Sequence, residues 1–595
     1  MAEAEVTSVK TQPDSITHIS TRKLQTSCWT ALIAIAIVRA WLTRYFVNGD
    51  AISYLDIARM VAEGNAGAAV HAYWSPGYPV LLSFFLYIFH PGIYWECTLA
   101  HFVNVLIFAA ALAGFQLFWR EARLQHETYA GRGGAEIPER AFWTLGYSIF
   151  AIATLNVITV SFIGPDLLVA AFCCFAGWSA LRLRRTPGVG HALLLGFVLA
   201  LGYYAKAPFF PMGTVFILCA SLVWPMQRRR ILSGVLSLII FLLLCTPYIA
   251  ALSRAKGRLT FGESARVSHA CYLDGVQKFQ HWQGGPPDAG TPIHPTRRLN
   301  DFPQTYEFAV KDMGTYPPWF DPTYWYEGVT PRLHWKLQAK VLVANLIVEF
   351  QIVMESAAVL AVGVIMLARF ACGHISFWQL WFVWMPGAIA LLMFALVHVE
   401  PRFLGGWLVL LFGGAICACS LPPDGSAHRA VRWIGLAVLI ASGAALASEA
   451  SLEVLGKGYA VNSSRSCARI AAFLLNSGLH PGDRVAVIGD GVDSSYWAHL
   501  ARLQIVAEIP ANLWAPQSHP ALDFWESGPE QQQKALRLLE QTGASAVIAG
   551  SQDSMPGSGP SSVSPPWEKI DGTWAAVYFF HENPLNNLTT NQSGR

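Results

Sequence analysis

Residues 46–60 read FVNGDAISYLDIARM, and they follow directly on an apolar run, 27–46, that is long enough to cross a membrane. Two carboxylates, Asp50 and Asp56, therefore stand just beyond the end of a predicted span. Asp56 falls within the predicted helix SYLDIARMVAEG, where the helix macrodipole explains an exposed acid near the helix start, so its replacement should cost little. Asp50 is closer to the membrane surface, where it is either a solvated loop charge or faces something that needs a carboxylate.

The composition is that of a membrane protein. Of the 595 residues 53% are hydrophobic and 13% charged, with a mean hydropathy of +0.38, whereas soluble chains carry about 25% charged residues. Apolar windows of about 20 residues recur along the chain and predict about eleven transmembrane helices. A shorter apolar helix, 75–90, is expected in the membrane interface. The predicted spans are 27–46, 98–119, 141–160, 166–184, 189–205, 207–226, 231–252, 341–368, 377–397, 403–420 and 432–449.

Lysine and arginine in the short loops indicate the orientation, because cytoplasmic loops are enriched in them. With the N-terminus in the cytoplasm, only Arg59, Lys206 and Arg402 fall in short outer loops. The basic residues on the other side are Lys10, Arg22, Lys23, Arg120, Arg123, Arg132, Arg140, RLRR at 182–185, RRR at 228–230, Arg369, Arg429 and Arg432. This topology accounts for the basic residues, so the net charge of +3 predicts no nucleic-acid partner.

The predicted organisation has a cytoplasmic tail, a membrane domain in two parts and two extracytoplasmic regions. The first outer loop is predicted at 47–97. The ranges are 1–26 for the tail, 27–252 and 341–449 for the membrane domain, 253–340 for an ordered outer loop rich in Pro, Gly and aromatic residues, and 450–595 for a small α/β domain.

The α/β prediction rests on the alternation of helical and strand patterns after residue 464. IGDGVDSS follows one of these strands, but it matches neither G-x-G-x-x-G nor a Walker motif, so we favour a structural or accessory role over nucleotide binding. Cys271 and Cys467 both fall on the outer face, where a disulfide between them is one alternative, but sequence alone does not give the geometry that pairing needs.

Charged residues from four predicted outer turns should lie at a similar membrane depth. They are Asp50, Asp166 in SFIGPDLL, Lys206 in YYAKAPFFP, and His398, Glu400 and Arg402 in HVEPRF. Charges at the membrane rim are costly and by default mark functional sites. Each acid taken alone also has an ordinary explanation, since Asp166 could simply cap its helix.

The motifs GDAISYLDIA, YWSPGYPVLL, GPDLL, YYAKAP and HVEPRFL resemble those of the multispan glycosyltransferases of the GT-C fold. The resemblance covers about residues 25–420 and is to the branch of protein O-mannosyltransferases and lipid A aminoarabinose transferases. Segments 246–267 and 315–329 resemble a bacterial subgroup whose substrates are not assigned. One departure is that the Asp-Glu pair common in the first-loop motif is here Asp50-Ala51.

The resemblance implies an inverting transferase in the bacterial plasma (inner) membrane, with its C-terminal domain in the periplasm. The donor would be a polyprenyl-phosphate-linked sugar, and the acceptor a protein, a lipid or a glycan. Asp50 would be the general base for the acceptor hydroxyl, and Lys206 and Arg402 would stabilise the leaving lipid phosphate.

Other residues of the same turns have candidate roles in substrate binding. Asp166 could orient the acceptor or join Asp50 around a divalent cation, although two acids are too few to establish a metal site. No cofactor is otherwise indicated. Further candidates are His398, Glu400, Tyr54, Tyr73, Trp74 and Tyr78. The four aromatic residues could stack on the sugar, but Trp and Tyr are also common in interfacial belts.

Two other classes of function remain open. A transporter or flippase would also have many spans and buried charges, but the sequence shows no internal repeat and its charges gather on one face instead of near the midplane. The membrane part could instead anchor an outer binding domain, although about eleven spans far exceed what an anchor needs.

Overall fold

The computed structural model describes residues 15–130, 135–222, 227–277, 281–308, 310, 313–370, 378–422, 425–511, 519–550 and 566–580. Residues 1–14 of the predicted cytoplasmic tail lie outside these ranges. The helices are α1 (Ser15–Leu42), α2 (Gly49–Ala62), α3 (Gly77–Phe89), α4 (Glu96–Ala130), α5 (Glu139–Ala151), α6 (Asp166–Arg185), α7 (Val189–Ala205), α8 (Phe209–Ser221), α9 (Arg228–Lys256), α10 (Ser264–Tyr272), α11 (Pro317–Phe320), α12 (Pro322–Trp325), α13 (Trp335–Ser356), α14 (Ala358–Phe370), α15 (Trp381–Ala395), α16 (Pro401–Cys417), α17 (Gly425–Asn476), α18 (Tyr496–Ala501), α19 (Pro520–Glu526) and α20 (Pro529–Glu540).

The protein is a multi-pass membrane protein. Seven helices in the described part of the chain are long and apolar enough to cross a membrane, and shorter apolar helices accompany them. Within the described residues each predicted span falls on one of these helices, except that 341–368 is divided between α13 and α14, which meet at Ala357. Residues 223–226 of the span 207–226 and residue 377 of the span 377–397 lie outside the described ranges. The interfacial prediction for 75–90 corresponds to α3, which buries Leu82 and Leu86 and exposes Phe84 and Tyr87.

Polar side chains stabilise an irregular turn in the middle of this helical domain. After α5 the chain widens into a π-helical turn, Ile152–Ile158. Arg39 of α1 donates a hydrogen bond to the carbonyl oxygen of Leu155, and Asn104 of α4 donates to that of Phe162 at 2.8 Å. Irregular backbone at membrane depth is tolerated only where protein groups satisfy it. These contacts therefore fix the path of the chain into α6.

Two adjacent glycines allow α16 to pack closely against its neighbours. A Cβ atom at Gly405 would lie 2.5 Å from the carbonyl oxygen of Ala153, and one at Gly406 would lie 2.8 Å from the Cα atom of Ala170. Larger residues would push the helices apart, since protein interiors have few voids that could absorb the added atoms. The close packing brings the start of α16, and with it Arg402, to the start of α6.

The extramembrane part is built on one seven-stranded sheet with the order β1-β2-β4-β3-β5-β7-β6. The strands are β1 (Arg297–Asp301), β2 (Gln304–Glu307), β3 (Arg484–Gly489), β4 (Gln504–Pro510), β5 (Ala546–Gly550), β6 (Glu568–Lys569) and β7 (Ala576–Phe579). Strands β3, β4 and β5 are parallel, and the outer strands are antiparallel to their neighbours. The predicted ordered loop 253–340 thus contributes β1 and β2 to the sheet of the C-terminal region.

A buried glutamate stabilises the contact between the segment 253–340 and the C-terminal region. Glu508 on β4 accepts a hydrogen bond from the Tyr316 hydroxyl at 2.9 Å, and its other contact is with Nε2 of His281 at 2.6 Å. Both partners come from the segment 253–340, and burying a carboxylate is tolerable only when such partners are present. The outer loop and the C-terminal region therefore pack as one unit.

The last span continues into that unit without interruption. α17 has 52 residues, about 78 Å of helix at 1.5 Å per residue. The domain boundary predicted at 449/450 therefore lies inside a continuous helix. The disulfide that was one alternative for Cys271 and Cys467 is not formed.

Candidate functional site

Five of the predicted site residues meet in one group, which we call the rim cluster: Asp50, Asp166, Lys206, Glu400 and Arg402. Nη1 of Arg402 lies 2.8 Å from Oδ2 of Asp50 and 3.7 Å from Oδ2 of Asp166. Nε of Arg402 lies 2.6 Å from Oε2 of Glu400, and Nζ of Lys206 lies 2.6 Å from Oδ1 of Asp166. The cluster thus combines three carboxylates with two cations and is stabilised by their ion pairs.

Each member stands at the end of a helix. Asp50 is the second residue of α2, Asp166 the first of α6, and Arg402 the second of α16. Lys206 follows the last residue of α7, where its backbone N–H donates to Gly202. Because packed helices fix their termini more firmly than flexible loops would, the charges are held in a defined arrangement.

Asp166 does not act as a helix cap. The structure shows no side-chain hydrogen bond at the N-cap of α6, and Oδ1 of Asp166 accepts from Lys206 instead. The carboxyl group is buried, and its Oδ2 has no hydrogen-bond partner among the described residues. A buried acceptor of this kind is costly and calls for an explanation. Nη1 of Arg402 lies 3.7 Å from this oxygen, beyond hydrogen-bond distance.

His398 and Glu400 support Arg402. Nε2 of His398 lies 3.2 Å from Oε1 of Glu400, and the imidazole stacks on the ring of Tyr272 with centroids 3.9 Å apart. Burial alone would raise the pKa of Glu400, but the hydrogen bonds from His398 and Arg402 lower it to about 2. Glu400 is therefore ionised at neutral pH and keeps the guanidinium group in place.

The four predicted aromatic residues differ in their exposure to solvent. Tyr78 is fully buried, with its hydroxyl donating to Asn104 at 2.8 Å, and Tyr54 is buried between Tyr78 and Trp74. The rings of Tyr54 and Tyr78 are thus covered by protein instead of being exposed to a sugar, and Trp74 is also buried. Tyr73 is only partly buried and packs edge-on against Trp74.

Sequence reasoning missed Trp319. Its indole Nε1 donates to Oδ1 of Asp50 at 3.2 Å, so Asp50 has one oxygen on Trp319 and the other on Arg402. The segment carrying Trp319 is fastened to α2 by Ser53, whose Oγ donates to the Trp319 carbonyl oxygen at 3.1 Å. The aromatic density of 315–329 was the available signal, but nothing in it indicated which ring would reach Asp50.

The expectation that Asp56 is an exposed acid is also wrong. Asp56 is 8% exposed. Its Oδ2 accepts from the backbone N–H of Thr315 at 2.7 Å, and its Oδ1 lies 2.8 Å from Nδ1 of His499. The macrodipole does not account for this burial, because the C-terminal domain and the outer loop cover the residue.

The divalent-cation alternative finds no support in the donor set. No three His, Cys, Asp or Glu side chains within the described ranges are grouped so that they could hold a metal ion. Asp50 and Asp166 instead face Arg402 and Lys206, which already neutralise them. We therefore assign no step to a metal.

The chain is thus a multi-pass helical membrane protein with an α/β extramembrane domain and, at its helix ends, the charged rim cluster. No protein-family model matches the chain, and no curated protein matches it. Among solved structures, it is similar to ArnT from Cupriavidus metallidurans in the apo state, with 12% identity and a TM-score of 0.49, over 93% of this chain and 98% of that one.

Two further structures extend the comparison. ArnT from the same organism bound to undecaprenyl phosphate has 11% identity and a TM-score of 0.46, over 92% of this chain and 97% of that one. The Archaeoglobus fulgidus oligosaccharyltransferase tethered with an acceptor peptide has 11% identity and a TM-score of 0.38, over 87% and 69%. At these identities and TM-scores the chemistry of this chain must be argued from its own site.

Proposed function

We propose that this chain transfers a sugar from a polyprenyl-phosphate-linked donor to an acceptor hydroxyl at the outer face of a bacterial plasma membrane. The observation that carries the proposal is the rim cluster. A partly exposed carboxylate, Asp50, pairs with Arg402, and a second cation, Lys206, belongs to the same cluster through Asp166. Such a site offers a proton acceptor to the acceptor hydroxyl and a phosphate-binding pair to the lipid-linked donor.

Asp50 is the proposed general base. An acceptor hydroxyl has a pKa far above 7 and needs a proton acceptor as it attacks the anomeric carbon. The Asp50 side chain is 14% exposed, and the contacts with Arg402 and Trp319 restrict its orientation. Attack by the hydroxyl on the face opposite the phosphate is a single displacement, which inverts the anomeric configuration.

Lys206 and Arg402 are the proposed partners of the leaving phosphate. As the glycosidic bond breaks, negative charge grows on the phosphate, and a positioned cation stabilises it better in a partly dry site than in water. In the structure each cation already has a carboxylate partner, Asp166 or Asp50. A bound phosphate would compete for both cations, and loss of the Arg402 contact would leave Asp50 available to the acceptor.

The remaining polar groups would orient the substrates. Oδ2 of Asp166 is a buried acceptor without a hydrogen bond in the described structure, and a hydroxyl of the sugar or of the acceptor would satisfy it. Tyr73 is partly exposed and offers aromatic surface beside Trp319, whose indole N–H donates to Asp50. Burial raises the pKa of the Tyr73 phenol well above its ordinary value, and the nearby Asp50 raises it further, so this group stays neutral.

The proposed orientation has the N-terminus in the cytoplasm. Basic residues gather at the helix ends opposite the rim cluster, where Arg185 pairs with Glu121 at 2.8 Å and Arg184 donates to the carbonyl oxygen of Cys219 at 2.7 Å. Cytoplasmic ends of membrane helices are enriched in such residues. Reporter fusions at residue 595 test this directly, and a tail active as a cytoplasmic reporter and silent as a periplasmic one would reverse the assignment.

The function itself is tested with the purified chain in liposomes. We expect release of polyprenyl phosphate and formation of a glycosylated product from a panel of polyprenyl-phosphate sugars and acceptor hydroxyls. Mass spectrometry of surface glycoconjugates from a deletion strain would then identify the sugar and the acceptor. A protein that moves labelled lipid or solute across the bilayer without transferring any sugar would overturn the proposal and establish a transporter or flippase.

A further inference from the structure

A second charged group lies where the C-terminal domain meets the first outer loop. We call it the docking cluster: Asp56, Arg59, Glu96 and His499. Nδ1 of His499 lies 2.8 Å from Oδ1 of Asp56, and its Nε2 lies 3.3 Å from Oε2 of Glu96. Nη2 of Arg59 lies 2.5 Å from Oε1 of Glu96. One imidazole thus bridges α2 and α4 from the C-terminal domain.

The docking cluster is shielded from solvent. The side chains of His499, Asp56 and Glu96 are 2%, 9% and 6% exposed. Both imidazole nitrogens face carboxylate oxygens, an arrangement that suits a doubly protonated ring donating to both. The remaining titratable neighbours are Tyr496, whose ring lies 5.9 Å from that of His499, together with Cys97 and Cys467 near Tyr496. The docking cluster then contains two negative charges, on Asp56 and Glu96, and two positive charges, on Arg59 and the imidazolium, so its net charge is zero.

A short path connects this cluster to the proposed base. Asp56 binds Thr315 through the backbone N–H at 2.7 Å and through Oγ1 at 3.1 Å. Four residues further along, Trp319 donates to Asp50. The segment 315–320 therefore contacts α2 at Asp56 and again at Asp50, and His499 secures the first of these contacts.

We propose that His499 is a positioning residue for sugar transfer, through which the docked C-terminal domain holds α2 and the segment 315–320 in the geometry that orients Asp50. The inference rests on the proposed function for its kinetic consequence, and on the docking cluster itself for its structural one. His499 acts through Asp56 and Thr315 and contacts no substrate.

The arrangement predicts a dependence on pH. Burial alone would lower the pKa of His499, but the hydrogen bonds and charges of Asp56 and Glu96 raise it to about 9. A histidine whose folded-state pKa is raised stabilises the structure fully below its ordinary value of about 6.5, and the contribution is lost as pH rises through the folded value. Docking should therefore be strongest below about pH 6.5 and weaken up to about pH 9.

The test compares His499→Asn with His480→Asn in the full chain. His480 belongs to the same domain, and its side chain is 80% exposed. We expect His499→Asn to lower kcat/KM about tenfold at pH 7, because small displacements of a catalytic group are costly, and to abolish the fall in activity between pH 6.5 and 9. His480→Asn should match the parent chain. A His499→Asn protein with the parent's rate and the parent's alkaline fall would overturn the inference.

If His499→Asn does not fold, Glu96→Gln provides a milder test of the pH dependence. This variant keeps the shape of the side chain and removes one of the two negative charges facing His499, so the midpoint of the alkaline fall should move to lower pH. An unchanged midpoint would count against the proposed role of His499.

Hydrogen–deuterium exchange separates this inference from the proposed function. In the substrate-free chain at pH 7, exchange within 49–62 and 315–320 should be faster in His499→Asn than in His480→Asn. Faster exchange in a chain that transfers no sugar would support the docking role and refute the transferase. Unchanged exchange in an active enzyme would refute the docking role alone.

Discussion

Asp50 and Asp56 are six residues apart on one helix, yet their partners come from different parts of the molecule. Asp56 is enclosed by Thr315 and His499, which satisfy both of its oxygens. Asp50 is partly exposed, and its partners are the guanidinium group of Arg402 and the indole N–H of Trp319. Burial and ion pairing are common to both acids, so neither identifies a reactive group. In the proposed function, what separates them is that a substrate can replace a partner of Asp50 but not a partner of Asp56.

The largest expected effect is that of Asp50→Asn. The change keeps the size of the side chain but removes its basicity, so sugar transfer should fall by about 100-fold or more while the protein stays folded. Release of polyprenyl phosphate by the purified variant is the measurement. Glu63→Gln is the matched control, because Glu63 is an exposed acid at the other end of the same helix and should be neutral. Near-parent turnover in Asp50→Asn would sink the general-base assignment.

The cations of the rim cluster should come next. Arg402→Ala or Lys206→Ala should each weaken donor use by at least about 2 kcal/mol, or about 30-fold, because charge-assisted hydrogen bonds to phosphate are strong. Lys206→Ala also removes the shorter of the two ion pairs of the buried Asp166, so thermal unfolding has to be measured alongside the rate. Lys534→Ala removes an exposed cation of the C-terminal domain and should change neither quantity. Normal turnover in both rim variants would remove these residues from the site.

The sequence sufficed for the features that depend on neighbouring residues. Long apolar runs locate the spans because a bilayer demands them, and Asp50, Asp166, Lys206 and Arg402 were singled out because each charge stands at the end of an apolar run. That these side chains meet one another depends on helix packing, which the sequence does not display. Their proposed roles in the reaction stay predictions.

Features that depend on distant contacts were out of reach. His499 meets Asp56 across 443 positions of sequence, and Trp319 meets Asp50 across 269. Nothing local distinguishes these residues from other histidines or tryptophans. Likewise β1 and β2 are too short to show a period of their own, and they become strands because β4 offers an edge for pairing. The misjudged exposure of Asp56 has the same origin, since its cover comes from two distant segments.

Asp56→Asn tests the difference between the two acids experimentally. Asparagine retains one acceptor oxygen but leaves His499 facing a neutral group, and breaking a buried ion pair is destabilising. We expect a clear drop in unfolding temperature and about a tenfold loss of transfer, because the segment 315–320 loosens. Asp50→Asn should show the reverse pattern, with a large kinetic loss at little cost in stability. Equal unfolding temperatures for Asp56→Asn and the parent chain would show that the buried ion pair of Asp56 adds no net stability.

The smallest effect should come from Trp319→Phe. Phenylalanine fills most of the same space but lacks the N–H that donates to Oδ1 of Asp50, so the cost is one hydrogen bond, about 1 kcal/mol, or about fivefold in kcat. Trp325→Phe is the matched control. Its indole donates to the carbonyl oxygen of Pro317 at 2.9 Å in the same part of the chain and does not contact Asp50. If Trp319 orients the base, only Trp319→Phe should lower kcat, whereas both variants should lose some stability. Equal losses of kcat in Trp319→Phe and Trp325→Phe would mean that the aromatic segment contributes only packing. Arg402 alone would then set the position of Asp50.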